Sequence, residues 1–170
     1  MNIKKVLLII AVLCMSTAIT SCTLWSKAPK GKLIYCSYAK TGAAGLGKDY
    51  CELIADPGVD PKVVVVLDQD CRFAEERREE FAVDASVVED LQKQLEEIKV
   101  WKLNGYNLEE PICGGHSYRI YMEYDSGEKI NARWYGHGVK DSAIHAYNLI
   151  EYFFKPWREK MPPQKDRQDF

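Results

Sequence analysis

Cys113 and His116 are the closest pairing of a nucleophile with a base in the sequence, and two glycines separate them. A cysteine–histidine pair becomes catalytic when the imidazole activates the thiol and a third group orients the imidazole. Residues three apart on a glycine loop rarely hold that geometry, and no orienting acid can be identified. The sequence therefore favours Cys113 as a disulfide partner and predicts no catalytic residue.

A second chemical feature is His137, which lies between two glycines shortly after Trp134 and Tyr135. The imidazole and the two aromatic side chains could line a cleft, so His137, Trp134 and Tyr135 are the candidate ligand-binding residues. The alternative places Trp134 in the hydrophobic core together with Tyr118. The sequence favours the core for Trp134 and keeps the ligand site as a hypothesis.

The sequence predicts no metal site and no cofactor. Asp68–Asp70 resembles the start of a calcium loop, but Arg72 stands at a ligand position and Phe73 where the loop requires glycine. The glycine-rich stretch 42–47 lacks the Lys-Ser or Lys-Thr ending of a phosphate-binding loop. No cysteine or histidine spacing matches a zinc site.

The charge pattern indicates whether the protein is suited to bind nucleic acids. The formal net charge is −2, and the lysines and arginines form no cluster. Proteins that bind nucleic acids carry a basic patch or stripe. The sequence therefore predicts no nucleic-acid partner.

The N-terminal segment has the pattern of an export signal. Lys4 and Lys5 precede an apolar run over residues 6–15, shorter than the about 20 residues that a membrane-spanning helix needs. Ile19–Cys22 (Ile-Thr-Ser-Cys) then places an aliphatic and two small residues before a cysteine. This pattern resembles the lipobox of bacterial lipoproteins; an ordinary secretory signal that contains a cysteine is the alternative.

The lipobox resemblance implies that residues 1–21 are a signal peptide and that Cys22 carries diacylglycerol on its sulfur and an acyl chain such as palmitate on its amine. Two or three chains on one residue anchor a protein firmly. Thr23, in place of aspartate, favours the outer membrane, with the domain facing the periplasm. We expect a lipid-anchored tether over residues 22–32, a single domain over 33–160 and a mobile polar tail over 161–170.

The predicted export also determines which of the six cysteines are candidates for disulfides. Cys14 leaves with the signal and Cys22 carries lipid, so the disulfide candidates are Cys36, Cys51, Cys71 and Cys113. An even number in an exported domain favours two disulfides, and four buried free thiols are the alternative. A hairpin symmetric about residues 43 and 44 would place Cys36 opposite Cys51, which leaves Cys71 to pair with Cys113.

Hydrophobic periodicity predicts strands, then a helix, then two strands and a second helix. Strands are expected over 33–39, 50–55, 62–68, 118–124 and 130–134, and residues 71–81 form either an exposed strand or a turn. Residues 104–115 are expected to be an irregular loop. The first helix begins after Asp84, carries its apolar stripe to Trp101 and stops at Gly105; the second begins at Asp141 or Ser142 and ends at Pro156.

Short connections favour antiparallel pairing. The predicted fold class is therefore α+β, with a single twisted antiparallel sheet of about five strands and two helices packed on one face. Tyr118, Ile120, Met122 and Tyr124 should face the helices, whereas Arg119, Tyr121 and Glu123 should point the other way.

The stretch Tyr118–Ile130, followed by a glycine and an aromatic-rich helix, resembles small uncharacterised lipoproteins of gut and oral Bacteroidetes. The resemblance covers about a third of the chain and implies a fold without an activity. Together with the missing catalytic motifs, it leads us to expect a non-catalytic binding or interaction module with an envelope protein as partner. The alternative is an envelope hydrolase, or a small-ligand-binding protein, with a pocket near His137.

Overall fold

The computed structural model describes residues 27–42, 48–68, 77–110 and 114–163. Seven strands, two α-helices and one 3₁₀-helix follow one another along these residues. They are β1 (Leu33–Thr41), β2 (Lys48–Ile54), β3 (Lys62–Asp68), β4 (Arg77–Ala82), α1 (Ala85–Glu97), the 3₁₀-helix Val100–Leu103, β5 (Asn107–Glu109), β6 (Ser117–Tyr124), β7 (Lys129–Tyr135) and α2 (Asp141–Arg158).

The strands form one sheet in the order β4-β3-β2-β1-β6-β7-β5. Every neighbouring pair is antiparallel except β5 and β7, which are parallel. The α+β class and the single sheet are confirmed. The expected sheet of about five antiparallel strands is only roughly right, because the sheet is mixed and has seven strands.

The two additional strands lie at the sheet edges. In β4, Phe81 pairs with Val63 and packs against the core, while Arg78 and Glu80 are exposed. Charged side chains are common on edge strands, because they discourage pairing with other chains, and they hide the strand pattern here. β5 is three residues long, too short for periodicity to reveal.

One face of the sheet packs against both helices. The predicted alternation in β6 is confirmed, because Ile120, Met122 and Tyr124 are buried in the same core cluster as Leu91 of α1 and Ile150 of α2. Burial of apolar side chains of this size stabilises a fold by about 1.5–3 kcal/mol each. This cluster holds the helices to one face of the sheet.

β3 differs from the other strands because both of its faces are covered. Val63 and Val65 lie in the core, and Val64 and Val66 on the opposite face are also 0% exposed. This confirms the expectation from the unbroken apolar run of Val63–Leu67. Pairing with β2 and β4 on either side places β3 inside the sheet.

The first helix begins after Asp84, as the sequence predicts, with Val88, Leu91 and Leu95 on its buried side. Its predicted continuation to Gly105 is wrong, because α1 ends at Glu97 and the left-handed φ of 55° at Lys99 separates it from the 3₁₀-helix.

The predicted end of the second helix at Pro156 is wrong, because α2 continues to Arg158. Pro156 is exposed in the last turn, where a carbonyl left without its intrahelical partner can be hydrated. Trp157 packs on Phe153 with ring centroids 5.3 Å apart and holds this turn in place.

The β1–β2 hairpin is centred one residue further along the chain than the symmetry assumed from the sequence. Cys36 therefore pairs with Leu53, and Cys51 pairs with Tyr38. Both cysteines are buried free thiols, so the predicted Cys36–Cys51 disulfide is wrong. A shift of two residues keeps a side chain on the same face of a sheet, which is why both thiols still point into the core.

The packed part of the chain begins before β1. The backbone N–H of Lys30 donates to Glu128 (3.0 Å), and that of Lys32 donates to Asp125 (2.8 Å). The end of the predicted tether is thus bound to the β6–β7 turn. At the other terminus, Arg77 donates to the Pro162 carbonyl (2.6 Å), and Met161 packs against the core, whereas 164–170 lie outside the described residues.

Candidate functional site

His137 lies on an exposed turn after β7. Its backbone N–H donates to Glu110 Oε2 at 2.8 Å. Gly136 before it has a φ of +115°, and a Cβ there would lie 2.6 Å from Glu110 Cβ. The glycine is thus required for the close approach of Glu110, whose carboxylate holds the turn in place. These contacts give the Gly-His-Gly segment a structural role.

The other two residues of the predicted ligand site lie on opposite faces of the sheet. Trp134 is 3% exposed in the core and stacks on Tyr118, with ring centroids 5.8 Å apart. It therefore cannot belong to a ligand surface, and the core alternative is the right one. Tyr135 is half-buried, and its hydroxyl donates to the Gly114 carbonyl at 3.1 Å. The structure does not bring these side chains together with His137.

The remaining sequence candidates form no site in the part that the structure describes. His116, His137 and His145 are all exposed, and no group of three or more His, Cys, Asp or Glu side chains there could hold a metal ion. Cys22, Cys71 and Cys113 lie outside the described residues. The disulfide expected between Cys71 and Cys113 stays a prediction.

A large concave surface lies on the side of the sheet away from the helices, which we call the open face. Its volume is about 1130 Å³, and its lining comes mainly from β1, β2, β6, β7, β5 and the segment before β5. The outward positions of β1 carry the small residues Ser37, Ala39 and Thr41. Ser37 lies between Glu52 and Tyr121, so larger side chains flank a low floor.

We call this depression along β1 the trough, with β2 on one side and β6 on the other. On the β2 side, Glu52 accepts a hydrogen bond from the Tyr35 hydroxyl at 2.6 Å. Tyr35 also meets Tyr121 of β6 edge to face, with ring centroids 5.9 Å apart. Tyr35 therefore closes one end of the trough and links its two sides.

On the β6 side, Arg119, Tyr121 and Glu123 follow one another at alternate positions. Arg119 lies over the Tyr121 ring (5.3 Å to the centroid) and donates to Asn131 Oδ1 at 3.2 Å. Glu123 accepts hydrogen bonds from Tyr121 and, at 3.0 Å, from Lys129. These bonds fix the side chains before any ligand arrives, and such preorganisation lowers the entropic cost of binding.

The protonation states on the open face follow from these contacts. The Tyr121 hydroxyl and then the Lys129 ammonium lower the pKa of Glu123 from its ordinary value. Burial, followed by the hydrogen bond to Glu52, raises the pKa of Tyr35. Near neutral pH, Glu123 is therefore an ionised acceptor and Tyr35 a protonated donor.

The sequence contained a signal for this surface. The outward residues of β6 were predicted to face away from the helices, and the structure confirms their direction. The trough residues Tyr35 and Glu52 were missed, because they become neighbours of Tyr121 only through the β1–β2 and β1–β6 registers. The cue would have been a tyrosine and a glutamate two residues apart on the outward side of two strands, Tyr50 and Glu52 in β2 and Tyr121 and Glu123 in β6.

A second polar cluster ties α2 to the sheet on the helix side. The Arg158 guanidinium, 27% exposed, donates to the Tyr38 hydroxyl at 2.9 Å and lies 3.3 Å from Asp49 Oδ2 and 3.4 Å from Glu151 Oε1. Burial raises the pKa of the neighbouring Cys51 thiol to about 12. A thiol in that state is a poor nucleophile, so the cluster is best explained as a structural tie.

No protein-family model matches the chain, and no curated protein matches it either.

Proposed function

We propose that the chain is a lipid-anchored protein of the bacterial envelope whose folded domain is a non-catalytic binding module. The open face is the binding surface. The observation that carries this proposal is the concave face of about 1130 Å³, lined with tyrosines and planar polar side chains that the two helices leave uncovered. Binding sites are characteristically concave, with a few polar groups that fix the orientation of the ligand.

The anchor rests on the N-terminal sequence. The lysines at positions 4 and 5, the short apolar run and Ile19–Cys22 together support export followed by lipidation of Cys22. Among the described residues, no helix has the length and apolar character needed to span a bilayer. The placement in the outer membrane, facing the periplasm, is part of the proposal and rests on Thr23.

The side chains of the trough favour binding over turnover. A general acid or base works best with a pKa near the operating pH, whereas the pKa of Glu123 is lowered and that of Tyr35 is raised. The hydrolase or small-ligand alternative near His137 has less support. His137 lines neither the open face nor the concavity of about 470 Å³ beside Arg158.

Mass spectrometry of the N-terminal peptide tests the anchor. We expect a peptide that begins at Cys22 and carries a diacylglyceryl group and an amide-linked acyl chain. The chain should fractionate with membranes, and Cys22→Ser should release it. A peptide that begins at Met1, or an unmodified Cys22, would refute the anchor.

Filling the trough tests the binding surface. Ser37→Trp places a large ring on its floor, and Asn148→Trp places the same ring on the exposed side of α2. The wild-type protein is first used to capture components of its own solubilised envelope. We expect Asn148→Trp to retain these components and Ser37→Trp to lose them. Equal retention by both variants would show that the open face is not the binding surface.

A further inference from the structure

The shape of the trough limits what can occupy it. β2 and β6 flank β1 on either side, so the backbones beside the trough are about 10 Å apart. Ser37 and Thr41 are four residues apart on β1, which gives the floor a length of about 13 Å. This space is narrow and elongated, and suits a short linear ligand about one ring wide.

The side chains offer ring surface together with unsatisfied polar atoms. Tyr35 and Tyr121 present an apolar ring that ends in a hydroxyl. Glu52 uses Oε1 for Tyr35, and Glu123 uses Oε1 for Tyr121 and Lys129. Within the described residues, the second oxygen of each carboxylate has no hydrogen-bond donor, so two acceptors are available on opposite sides of the trough.

Arg119 supplies donors on the β6 side of the trough, opposite Ala39. Its Nε is bonded to Asn131, while its two terminal nitrogens make no hydrogen bond to any residue that the structure describes. A hydroxyl group can donate to a carboxylate and accept from a guanidinium at the same time. A ligand rich in hydroxyls can therefore use both the acceptors of Glu52 and Glu123 and the donors of Arg119.

Charge argues against strongly ionic ligands. The Glu52 carboxylate lies beside the floor and that of Glu123 lies beside Tyr35 at the closed end, and both repel an anion such as phosphate. Arg119 and Arg133 line the same concavity and repel a cation. Groups of both signs therefore line this surface, which favours a neutral polar ligand.

We propose that the trough binds a neutral, linear oligosaccharide, with sugar rings packed against Tyr35 and Tyr121 and hydroxyls held by Glu52, Glu123 and Arg119. This inference rests on the proposed function and names the ligand class for the same surface. An extended polypeptide is the competing occupant. A polypeptide carries backbone amides in place of paired hydroxyls. It therefore leaves more of the free acceptors and donors of the trough without a hydrogen bond.

An oligosaccharide array tests the proposal. The full chain, labelled with a fluorophore and kept in a detergent without a sugar headgroup, is applied to an array of neutral and acidic oligosaccharides. We expect signals confined to neutral glycans, and calorimetry with the strongest of them should show affinity that rises with chain length and then levels off. The absence of any signal, or signals confined to acidic glycans, would overturn the sugar assignment.

Variants locate the binding. Tyr121→Ala and Glu52→Gln should each weaken the affinity for the chosen glycan at least about tenfold, as expected for loss of a ring contact or a charged acceptor. Tyr152→Ala removes a tyrosine that is 75% exposed on α2 and should leave the affinity unchanged. Unaltered melting temperatures show that the variants are folded. Equal affinities for Tyr121→Ala and wild type would place any sugar elsewhere and overturn the proposal.

The same variants separate this inference from the proposed function. If Ser37→Trp abolishes retention of an envelope component and no glycan binds, the open face is a binding surface for another class of ligand. The sugar assignment then fails alone. If Ser37→Trp changes nothing and no glycan binds, both proposals fail.

Discussion

Cys36 and Cys51 lie in the core as free thiols, 0% and 1% exposed. We expect neither to react with a thiol reagent in the folded protein and both to react after denaturation, because burial excludes the reagent and keeps the thiols protonated. Mass mapping of alkylated peptides at pH 8, with and without denaturant, measures this.

Cys51 faces the Tyr38 hydroxyl, and no cysteine pairs with Cys36 across β1–β2. A non-reducing peptide map should therefore contain Cys36 and Cys51 as monomeric peptides. A peptide that joins Cys36 to Cys51 would contradict the register of the hairpin. The same map decides whether Cys71 and Cys113 are bonded, which stays a prediction from the sequence.

The buried thiols also predict sensitivity to alkali. Burial raises the pKa of Cys51 to about 12, and it raises the pKa values of Cys36 and Tyr38 further. A raised pKa means that the folded state holds the proton more tightly, so stability is complete below the unfolded pKa near 9 and is lost as the pH rises. The free energy of unfolding should fall by about 1.4 kcal/mol per pH unit for each such thiol.

Urea unfolding at pH 7, 9, 10 and 11 measures this slope. Cys51→Ala is the matched variant: it lowers stability at pH 7 by creating a cavity but should show a shallower decline above pH 9. A free energy of unfolding that is the same at pH 11 as at pH 7 would contradict the buried, protonated thiols.

Among the contacts between elements, Gln92 connects α1 to the start of β1. Its side-chain oxygen accepts from the Leu33 backbone N–H at 2.8 Å, and its nitrogen donates to the Gly31 carbonyl at 3.2 Å. Gln92→Ala leaves a partly buried donor without its partner and should lower the free energy of unfolding by about 1–2 kcal/mol.

Gln94, two residues later, is the control. It is exposed, so Gln94→Ala should change the free energy of unfolding by less than about 0.5 kcal/mol. Urea titrations of both variants give the comparison. Equal losses would show that the Gln92 contacts do not hold residues 31–33 to the helix.

The elements that the sequence predicts well are those with a long periodic pattern. β3, β6, β7 and the start of α1 were predicted within about two residues of their observed bounds, because alternation and helical spacing reflect burial on one side. The end of α1 was not, because the apolar stripe continues into the separate 3₁₀-helix Val100–Leu103. β4 and β5 were harder to predict: the first four residues of β4 are all charged, which hides its alternation, and β5 has only three residues. The end of α2 was misjudged because a proline in an exposed last turn is tolerated.

At the scale of the whole molecule, the candidate surface was harder to predict than the fold. The sequence shows which residues of β6 point away from the helices, but not that Tyr35 and Glu52 lie beside them, because that depends on two strand registers. Trp134 was easier to predict, because its alternation with Ile130 and Ala132 favours the core. Its packing against Tyr118 and Tyr147 agrees with that expectation.

Photocrosslinking in the native envelope tests most directly whether the open face meets the ligand. A benzophenone amino acid replaces either Lys48, which lines the concavity on the β2 side beside Thr41 and leaves the trough floor open, or Asn148 on the exposed side of α2. We predict adducts from position 48 and none from position 148, because only position 48 lies beside the proposed ligand. Adducts from position 148 alone, or none from position 48, would contradict the open face as the binding surface.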